Sequence, residues 1–359
     1  MRYYLLILFC SATTLYSQVK TSHFITRPSF RTGAIFQRWT GEGRQQIDEL
    51  VVPLVMHYPV SERFSVSVLN MPTSAKLRRA DSSSSLTAFT DTRISTAFIL
   101  GEERAVLNLG VGIPSGPTAL KFRELSVAQE ITSHALAMPM SYFGGGGEVS
   151  ASIAVATELG KWILGGSVGG AYKASYVPIA GFLKYRPGPE ISIAIGFDRT
   201  LGERSRIFGD AGYTWYGRDQ YGGKDIFQSD GKANFTLAGI FASEKWQSSV
   251  LLQNTLKRKS PFALDNSFSV SYGNEFELAT ELARQINPNS ALLAVANVRA
   301  LGKNANGNSA ATVVSFGPGW RGTIMPQVQL EAVARLAAGE IDGNPIRGGE
   351  AELGFIFQF

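Results

Sequence analysis

The chain has 359 residues, of which 44% are hydrophobic, 18% are charged and 38 are glycine, and its formal net charge is +5. Charged residues make up about 25% of an average soluble domain and glycine about 7%, so this sequence is poor in charge and rich in glycine. The mean hydropathy of +0.02 and the lack of a run of about 20 apolar residues after the N-terminus exclude a bundle of membrane helices. The 11% of aromatic residues also argues against a disordered chain.

The N-terminal residues predict an exported protein. Arg2 precedes an apolar run over 5–10, and small and polar residues follow up to Ser17. A short basic start, an apolar core and a small residue before the cleavage point are typical of a secretory signal peptide. We therefore predict a signal peptide over 1–17, and the alternative is a buried N-terminal strand. Cys10, the only cysteine, would be removed with it.

From about residue 30 the chain consists of segments in which apolar and polar residues alternate, which is the pattern of strands with two different faces. In the last segment one face is entirely apolar, with Ala351, Leu353, Phe355, Phe357 and Phe359. The apolar face could pack into the core of a soluble sandwich or face the lipid around a membrane barrel. The alternation alone does not distinguish these two folds.

The connections between segments favour the barrel. Short polar links are expected at 61–63, 101–103, 159–161, 202–204, 243–245, 287–289 and 322–324, and longer stretches at 73–86, 116–146, 173–188, 217–230, 257–267 and 338–348. Alternation of short and long connections is typical of outer-membrane barrels, which have tight periplasmic turns and longer extracellular loops.

The number of links also predicts the number of strands. Seven short links join fourteen strands, and one more strand at each end gives about sixteen, with both termini on the periplasmic side. The sequence therefore predicts an all-β fold, a transmembrane antiparallel β-barrel over 18–359. Fourteen strands are the alternative if residues 18–45 form a plug or an arm, and 18–29 are the candidate for a periplasmic arm.

Residues 46–116 contain several short motifs at strand ends. In chain order these are Ser61-Glu62-Arg63, Asn70-Met71-Pro72, Thr90-Asp91 and Pro114-Ser115-Gly116. The stretch resembles the outer-membrane proteins associated with phenol meta-pathway degradation, in which a strand closes in a proline, Gly-Asp precedes a strand and another strand closes in Pro-Thr-Gly. Thr90 here replaces the glycine, and Ser115 replaces the threonine. The architecture is more distantly similar to fatty-acid transporter barrels, which pass hydrophobic molecules. The resemblance implies a barrel and leaves the solute open.

Residues 119–137 combine helical spacing with polar positions, so they form either a short helix in or over the mouth of the barrel or a surface loop. Further along, charged residues in mid-strand are expected to face the lumen, because an Arg or Lys facing lipid at the midplane costs about 2–4 kcal/mol. The candidate lumen-lining residues are Glu190, Asp198, Asp210, Glu275, Glu277, Glu281, Asn297, Arg299, Glu331, Arg335 and Glu352.

Two hypotheses explain these interior charges. In the first they line a pore, with the carboxylates of 275–281 facing basic residues such as Arg299 and Arg335. In the second they form a salt-bridge network that fills the barrel. At the end of the chain, the terminal Phe359 follows an alternating strand, which resembles the signal that outer-membrane barrels present to the barrel-assembly machinery.

Other classes of function have little support in the sequence. None of the three histidines, His23, His57 and His134, lies at metal-ligand spacing from another, so we predict no metal, no cofactor and no catalytic residue. His57 falls on the lumen side, and the other two histidines fall outside predicted strands. Basic residues do not cluster on one element, so nucleic acid is not an expected partner.

The sequence thus predicts a protein of the cell outer membrane. We expect a channel for the passive uptake of small hydrophobic or aromatic molecules, and the alternative is a structural or adhesive barrel without solute flux. The expected partners are outer-membrane lipid, the barrel-assembly machinery and a small-molecule solute.

Overall fold

The computed structural model describes residues 27–41, 45–101, 104–117, 119–132, 134–140, 143–229, 231–257, 273–303 and 310–359. These residues form 22 strands, one α-helix, α1 (Phe122–Ile131), and a 3₁₀ turn (His134–Leu136). The strands are β1 Ser29–Thr40, β2 Gln46–Val51, β3 Leu54–Ser61, β4 Phe64–Asn70, β5 Thr73–Arg79, β6 Ser82–Ala88, β7 Thr92–Leu100, β8 Ala105–Ile113, β9 Glu148–Leu159, β10 Trp162–Lys173, β11 Tyr185–Arg186, β12 Glu190–Thr200, β13 Arg206–Tyr216, β14 Arg218–Tyr221, β15 Lys224–Gln228, β16 Lys232–Ala242, β17 Trp246–Lys257, β18 Glu275–Asn287, β19 Ser290–Leu301, β20 Ala311–Met325, β21 Val328–Ile341 and β22 Asn344–Gln358.

Nineteen of these strands form one antiparallel sheet that closes on itself. The closing contact joins β1 to β22, which pair from Ser29 with Gln358 to Thr40 with Arg347. Three pairs of short strands, β2 with β3, β4 with β5 and β6 with β7, each continue one another along the wall, so the barrel has sixteen wall strands. The predicted sixteen-stranded antiparallel barrel is confirmed. The fourteen-strand alternative is wrong because β1 is part of the wall.

The breaks within wall strands follow the positions of two prolines. Pro53 lies between β2 and β3, and Pro72 lies between β4 and β5. Proline has no N–H to donate to a sheet ladder. The two breaks lie side by side in the wall, and the N–H of Val52 donates a 2.9 Å hydrogen bond to the carbonyl of Pro72 across them. The wall therefore stays continuous across the interruption.

The seven short links lie at one end of the barrel, the turn rim, and the remaining connections lie at the other end, the loop rim. Three predicted connections were wrong. Strand β20 runs through 322–324 to Met325, and the turn is at 326–327. The stretches 73–86 and 338–348 are hairpins and not loops. In the hairpin within 338–348, Asp342 and Gly343 have φ values of 54° and 79°. A two-residue hairpin turn requires positive φ at both of its residues, and Asp-Gly is a favoured pair there.

The outer face of the barrel is apolar. Ile195, Phe316 and Leu336 are 70%, 63% and 67% exposed, whereas Ala194 on the inner face of the same wall is 7% exposed. A closed barrel with an apolar exterior leaves no backbone group unpaired in lipid, and bacterial proteins of this architecture lie in the outer membrane. The protein is a transmembrane barrel of the cell outer membrane. No helix within the described ranges is long and apolar enough to cross a membrane.

The start of β1 and the end of β22 meet at the turn rim, where the N–H of Phe359 donates a 3.0 Å hydrogen bond to the carbonyl of Pro28. The predicted signal peptide over 1–17 lies outside the described residues, as do residues 18–26 of the predicted arm. Ser29 already belongs to β1. Helix α1 falls inside 119–137, so the first of the two expectations for that segment is confirmed.

Candidate functional site

The inner face of the wall from β17 to β19 carries paired charges. Arg299 lies opposite Glu277 in the register of β18 and β19, and its Nη2 is 3.1 Å from Glu277 Oε2. Asn297 donates a 2.6 Å hydrogen bond from Nδ2 to Oε1 of the same carboxylate. Glu275, which is nearer the loop rim, contacts Nζ of Lys257 on β17. Both carboxylates thus have a cationic partner on a neighbouring strand.

Arg321 on β20 binds two further carboxylates. Its Nη2 lies 2.7 Å from Glu281 Oε1, and its Nε lies 2.7 Å from Glu331 Oε2. The arginine side chain is 27% exposed, and the two carboxylate side chains are 17% and 14% exposed. A guanidinium group presents five donors in a planar fork, so it can satisfy both partners at once.

Arg335 on β21 belongs to a third group of charges. It contacts Glu350 on β22, and its Nη2 lies 3.7 Å from Glu352 Oε2. Gln37 on β1 donates a hydrogen bond to the same Glu350 carboxylate. Arg335 therefore joins β21 to β22, whereas the sequence predicts the carboxylates of 275–281 on β18 as its partners.

Two more charge pairs lie near the loop rim on the opposite wall. Lys173 Nζ is 2.5 Å from Glu190 Oε1, and Arg93 Nη2 is 3.6 Å from Glu148 Oε1. Glu148 and Lys173 are also register partners on β9 and β10. Acidic and basic groups therefore face each other across neighbouring strands on both walls. This arrangement keeps the local net charge small while the interior remains polar.

Small residues form much of the inner face from β7 to β13. They include Ser95, Ala97, Asn108, Gly110, Ser150, Ser152, Ala154, Gly165, Ser167, Gly169, Ser192, Ala194, Gly196 and Gly212. Space is tight between neighbouring strands, since a Cβ on Gly169 would lie 2.8 Å from Cβ of Ser152. Towards the barrel axis, however, such short side chains leave open space in the interior. Barrels of sixteen strands can enclose an aqueous channel.

The segment over 116–147, hereafter the inserted segment, packs against the inner face of the other wall. Val127 and Ile131 of α1 are 0% and 1% exposed, and Leu136, Met138 and Phe143 are also buried. Their buried neighbours come from six strands and are Trp39, Ile47, Ala75, Leu77, Leu86, Val313 and Ile346. Burying each of these large apolar side chains contributes roughly 1.5–3 kcal/mol. The described part of the inserted segment is thus a packed structure inside the barrel.

Polar contacts supplement this apolar packing. Glu49 on β2 is 0% exposed, and its Oε2 accepts a 3.3 Å hydrogen bond from the N–H of Met140. Nearer the loop rim, Glu130 of α1 accepts a 2.5 Å hydrogen bond from Gln45 and lies 3.4 Å from Arg79. The inserted segment is therefore bonded to the wall both deep in the barrel and at its mouth.

Asp91, between β6 and β7, binds both ends of the inserted segment. Its Oδ1 accepts a 3.1 Å hydrogen bond from the N–H of Gly116, and its Oδ2 accepts a 2.7 Å bond from the N–H of Gly145. The two ends approach closely, since a Cβ on Gly116 would lie 2.3 Å from the carbonyl oxygen of Phe143. One carboxylate thus closes the segment into a loop with a fixed base.

The residues beside Asp91 are those on which the sequence resemblance rests. The carbonyl of Thr90 accepts 2.9 Å hydrogen bonds from Asn70 Nδ2 and from Ser115 Oγ. Ser115 Oγ in turn accepts a 2.9 Å bond from the N–H of Thr92. The motifs at three separate strand ends therefore meet in one hydrogen-bonded junction at the base of the inserted segment.

Above the loop rim, β11, β14 and β15 form a separate three-stranded sheet, the outer sheet. Tyr185 Oη donates a 2.5 Å hydrogen bond to Asp219 Oδ2, and the N–H of Gly188 donates a 2.7 Å bond to Oδ1. Burial, together with the bonded and charged Asp219 carboxylate, raises the pKa of Tyr185. Backbone hydrogen bonds of 3.0 Å tie Leu120 to residues 178–180, so the inserted segment and this outer structure are connected.

The contacts of His57 are those of a residue within the strand wall. His57 and Ser67 are register partners on β3 and β4, and His57 Nδ1 lies 2.9 Å from Ser67 Oγ. Antiparallel pairing alone accounts for this proximity. Across the described ranges, no three His, Cys, Asp or Glu side chains are grouped so that they could hold a metal ion. His23 lies outside the described residues.

Several residues of the interior were not singled out from the sequence. Lys257, Glu350 and Arg321 complete the ion pairs, and Glu49 and Asp91 bind the inserted segment. The same alternation that identified the other interior charges places Lys257 and Glu350 on the inner face. Arg321 was missed because it lies next to the wrongly predicted turn at 322–324.

Comparison with known proteins gives structural neighbours only. No family model matches the sequence, and no curated protein matches it. Among solved structures, an outer membrane channel from Pseudomonas putida F1 aligns at 10% identity and a TM-score of 0.38, covering 93% of this chain and 96% of that chain. Pseudomonas aeruginosa OpdQ aligns at 8% identity and a TM-score of 0.47, covering 93% and 99%.

A third neighbour is the CymD monoaromatic hydrocarbon channel, at 10% identity and a TM-score of 0.44, covering 98% of this chain and 94% of that chain. The fold described above rests on the strand pairing of this chain itself and is independent of these alignments.

Proposed function

We propose that the protein is an outer-membrane channel through which small molecules diffuse passively. The observation that carries this proposal is the division of the interior into two walls. The packed residues of the inserted segment lie against β1, β2, β5, β6, β20 and β22. The inner face of β7–β13 lies opposite and is made largely of Gly, Ser and Ala. Because the side chains of this second wall are short, the widest path through the barrel should run along it.

We further propose that the solutes are small hydrophobic or aromatic molecules, with aromatic acids as the best fit. The guanidinium groups of Arg299, Arg321 and Arg335 are held in place by carboxylates on the inner face. Guanidinium groups stack on aromatic rings and bind carboxylates. The opposite wall offers small apolar and hydroxyl groups. A flat ring with one charged end can use both kinds of surface.

The first experiment tests the path. Ser167 and Val168 are neighbours on β10, and register places Ser167 on the inner face opposite Ala154, while Val168 is 48% exposed on the outer face. We expect Ser167→Trp to reduce conductance in planar bilayers and to slow the swelling of liposomes in benzoate. The matched variant Val168→Trp should leave both unchanged. Equal behaviour of the two variants, or no conductance from the native protein, would contradict the proposed path.

The solute class is tested with the native barrel in the same swelling assay. Benzoate, glucose and a short-chain fatty acid are compared at equal osmolarity. We expect benzoate to permeate faster than glucose by more than its smaller size accounts for. If glucose permeates as fast as benzoate, the channel is general and the proposed preference for aromatic acids is wrong.

A structural or adhesive barrel without flux is the second candidate, and the ion pairs around β18 favour it. Replacing Glu275, Glu277 and Glu281 with glutamine would remove the carboxylates that Lys257 and Arg299 contact and would leave Arg321 with Glu331. Breaking a buried pair costs about 3–5 kcal/mol, although partial exposure reduces that cost here. Poor folding of the triple variant together with no conductance from the native protein would support the structural barrel. Normal folding with altered ion selectivity would support the channel.

A further inference from the structure

The outer face carries one group of basic residues at the loop rim. In one row of the register, Asp48 of β2 lies between Arg38 of β1 and Lys76 of β5. The next row toward the loop rim contains Arg347 of β22 and Arg78 of β5 on the same outer face. We call the four basic residues the basic patch. It contains four cations around one carboxylate, so its net charge is positive.

Asp48 organises the patch without neutralising it. Its Oδ1 lies 2.7 Å from Arg38 Nε, and its Oδ2 lies 2.7 Å from Arg78 Nη1. The two arginine side chains remain 52% and 42% exposed, whereas the Asp48 side chain is 12% exposed. Each guanidinium has five donors, so both retain N–H groups for another partner. Glu340 of β21 is an acidic residue that flanks the patch, one row beyond the register partner of Arg347.

The height of the patch corresponds to the level of lipid headgroups. The next outward residues toward the middle of the barrel are Phe36 and Leu50, which are 37% and 42% exposed and begin the apolar outer face. Arg38 lies over the ring of Phe36, with its Cζ 5.6 Å from the ring centroid. Basic side chains at such a boundary keep their stems on apolar surface and their charge in the headgroup layer.

Four described strand ends elsewhere on the loop rim differ from this patch. At the corresponding ends of β9, β10, β12 and β13 the outward residues are Val149, Tyr172, Ile191 and Trp215, which are 54%, 49%, 58% and 45% exposed. Four cations on one side of the barrel are therefore a local feature and not a property of the whole rim.

We propose that the basic patch binds the phosphate groups of a phosphorylated glycolipid of the outer leaflet. Arginine binds phosphate through paired N–H donors. Ser85 and Ser83 of β6 are the register partners of Lys76 and Arg78 and add hydroxyl donors at that end. From β22 to β5 the patch spans three strand spacings, about 14 Å, with the carboxylate of Asp48 in the middle. A lipid with two phosphates on a disaccharide engages both ends at once, which a single free phosphate cannot do.

The experiment measures binding of diphosphorylated lipid A to the full barrel in a neutral detergent by native mass spectrometry. The test variant is Arg38→Gln with Arg78→Gln. The matched control is Arg199→Gln with Arg284→Gln, because these arginines lie over Trp162 and Trp246 near the turn rim. We expect about a tenfold or greater loss of lipid A binding in the test variant and none in the control. Dephosphorylated lipid A should bind only weakly to the native protein and to both variants.

A second variant keeps the test decisive if the first does not fold. Lys76→Gln with Arg347→Gln leaves both ion pairs of Asp48 in place and should also weaken lipid A binding, with unchanged heat-modifiable migration on a gel. Equal losses in the test and control variants would mean that binding is not localised and would overturn the proposal. Displacement of lipid A by inorganic phosphate at equal concentration would also overturn it, because the site would then hold a free anion.

Discussion

Asp91 makes a sharp test of how the inserted segment is held. In Asp91→Ala both hydrogen bonds from Gly116 and Gly145 are lost. A hydrogen bond to a charged group contributes about 1.5–3 kcal/mol, and because Asp91 is half-buried the lower end of that range applies. The two bonds together are then worth about 3 kcal/mol, or roughly a hundredfold in the equilibrium for opening the base of the segment.

The same arithmetic predicts that the segment does not leave the barrel. Five of its large buried apolar side chains, which include Val127 and Phe143, contribute roughly 8–15 kcal/mol in total. This is several times the loss caused by the substitution. We therefore expect an intact barrel in which the ends of the segment open more often while its core stays packed.

The assay is limited proteolysis of the barrel in detergent, followed by conductance in planar bilayers. Trypsin should cut at Lys121 or Arg123 about a hundredfold faster in Asp91→Ala, provided that opening and closing are fast relative to cleavage, and the open-channel current should become noisier. The control is Asp219→Ala, which removes the corresponding bonds in the outer sheet and should leave these cleavage rates nearly unchanged. Identical proteolysis and current in Asp91→Ala and the native protein would refute the role assigned to this carboxylate.

Three further predictions concern the membrane, the outer sheet and assembly. Ile195→Arg places a cation in lipid at a cost of about 2–4 kcal/mol and should reduce recovery in the outer-membrane fraction, whereas Ser192→Arg on the inner face should be recovered normally. Because the pKa of Tyr185 is raised, its stabilising neutral form is fully present below the ordinary tyrosine pKa of about 10 and is lost as the pH rises through the raised value. The tyrosinate absorbance of Tyr185 should therefore appear only in strong alkali, and Tyr185→Phe should remove that component of the absorbance titration. We propose Phe359 as an assembly signal, so Phe359→Ala should slow the appearance of the heat-modifiable form in cells, and an unchanged rate would contradict the proposal.

The strands could be predicted from the sequence because the alternation of apolar and polar residues is contained within each strand. In β22 the alternation from Ala351 to Phe357 fixes which side chains face outward, and a barrel in lipid preserves that pattern around the whole wall. Errors arose where a turn is itself short. The hairpin at Asp342-Gly343 carries a turn signal of only two residues, whereas the alternation of short and long connections predicts a longer stretch over 338–348.

The partners of the interior charges could not be obtained in the same way. Whether Glu281 meets Arg299 or Arg321 depends on the register of β18, β19 and β20, and register is a property of strand pairs rather than of one segment. The position of the inserted segment has a similar cause. Its helical spacing is visible in the sequence, but the inner-face residues that cover it, such as Trp39 and Ile346, come from opposite ends of the chain.

The pairing of β1 with β22 also determines when the barrel can form. Ser29 is bonded across to Gln358, so closure brings together the two ends of nearly the whole chain. Contacts of such long range form slowly, because the entropy of closing the loop must be overcome before they contribute. Until closure, β1 and β22 are both free edges with unpaired N–H and C=O groups, which invite pairing with other chains. The newly exported chain therefore needs protection until its last strand has been delivered, and a truncation of β22 should yield aggregated protein rather than a smaller barrel.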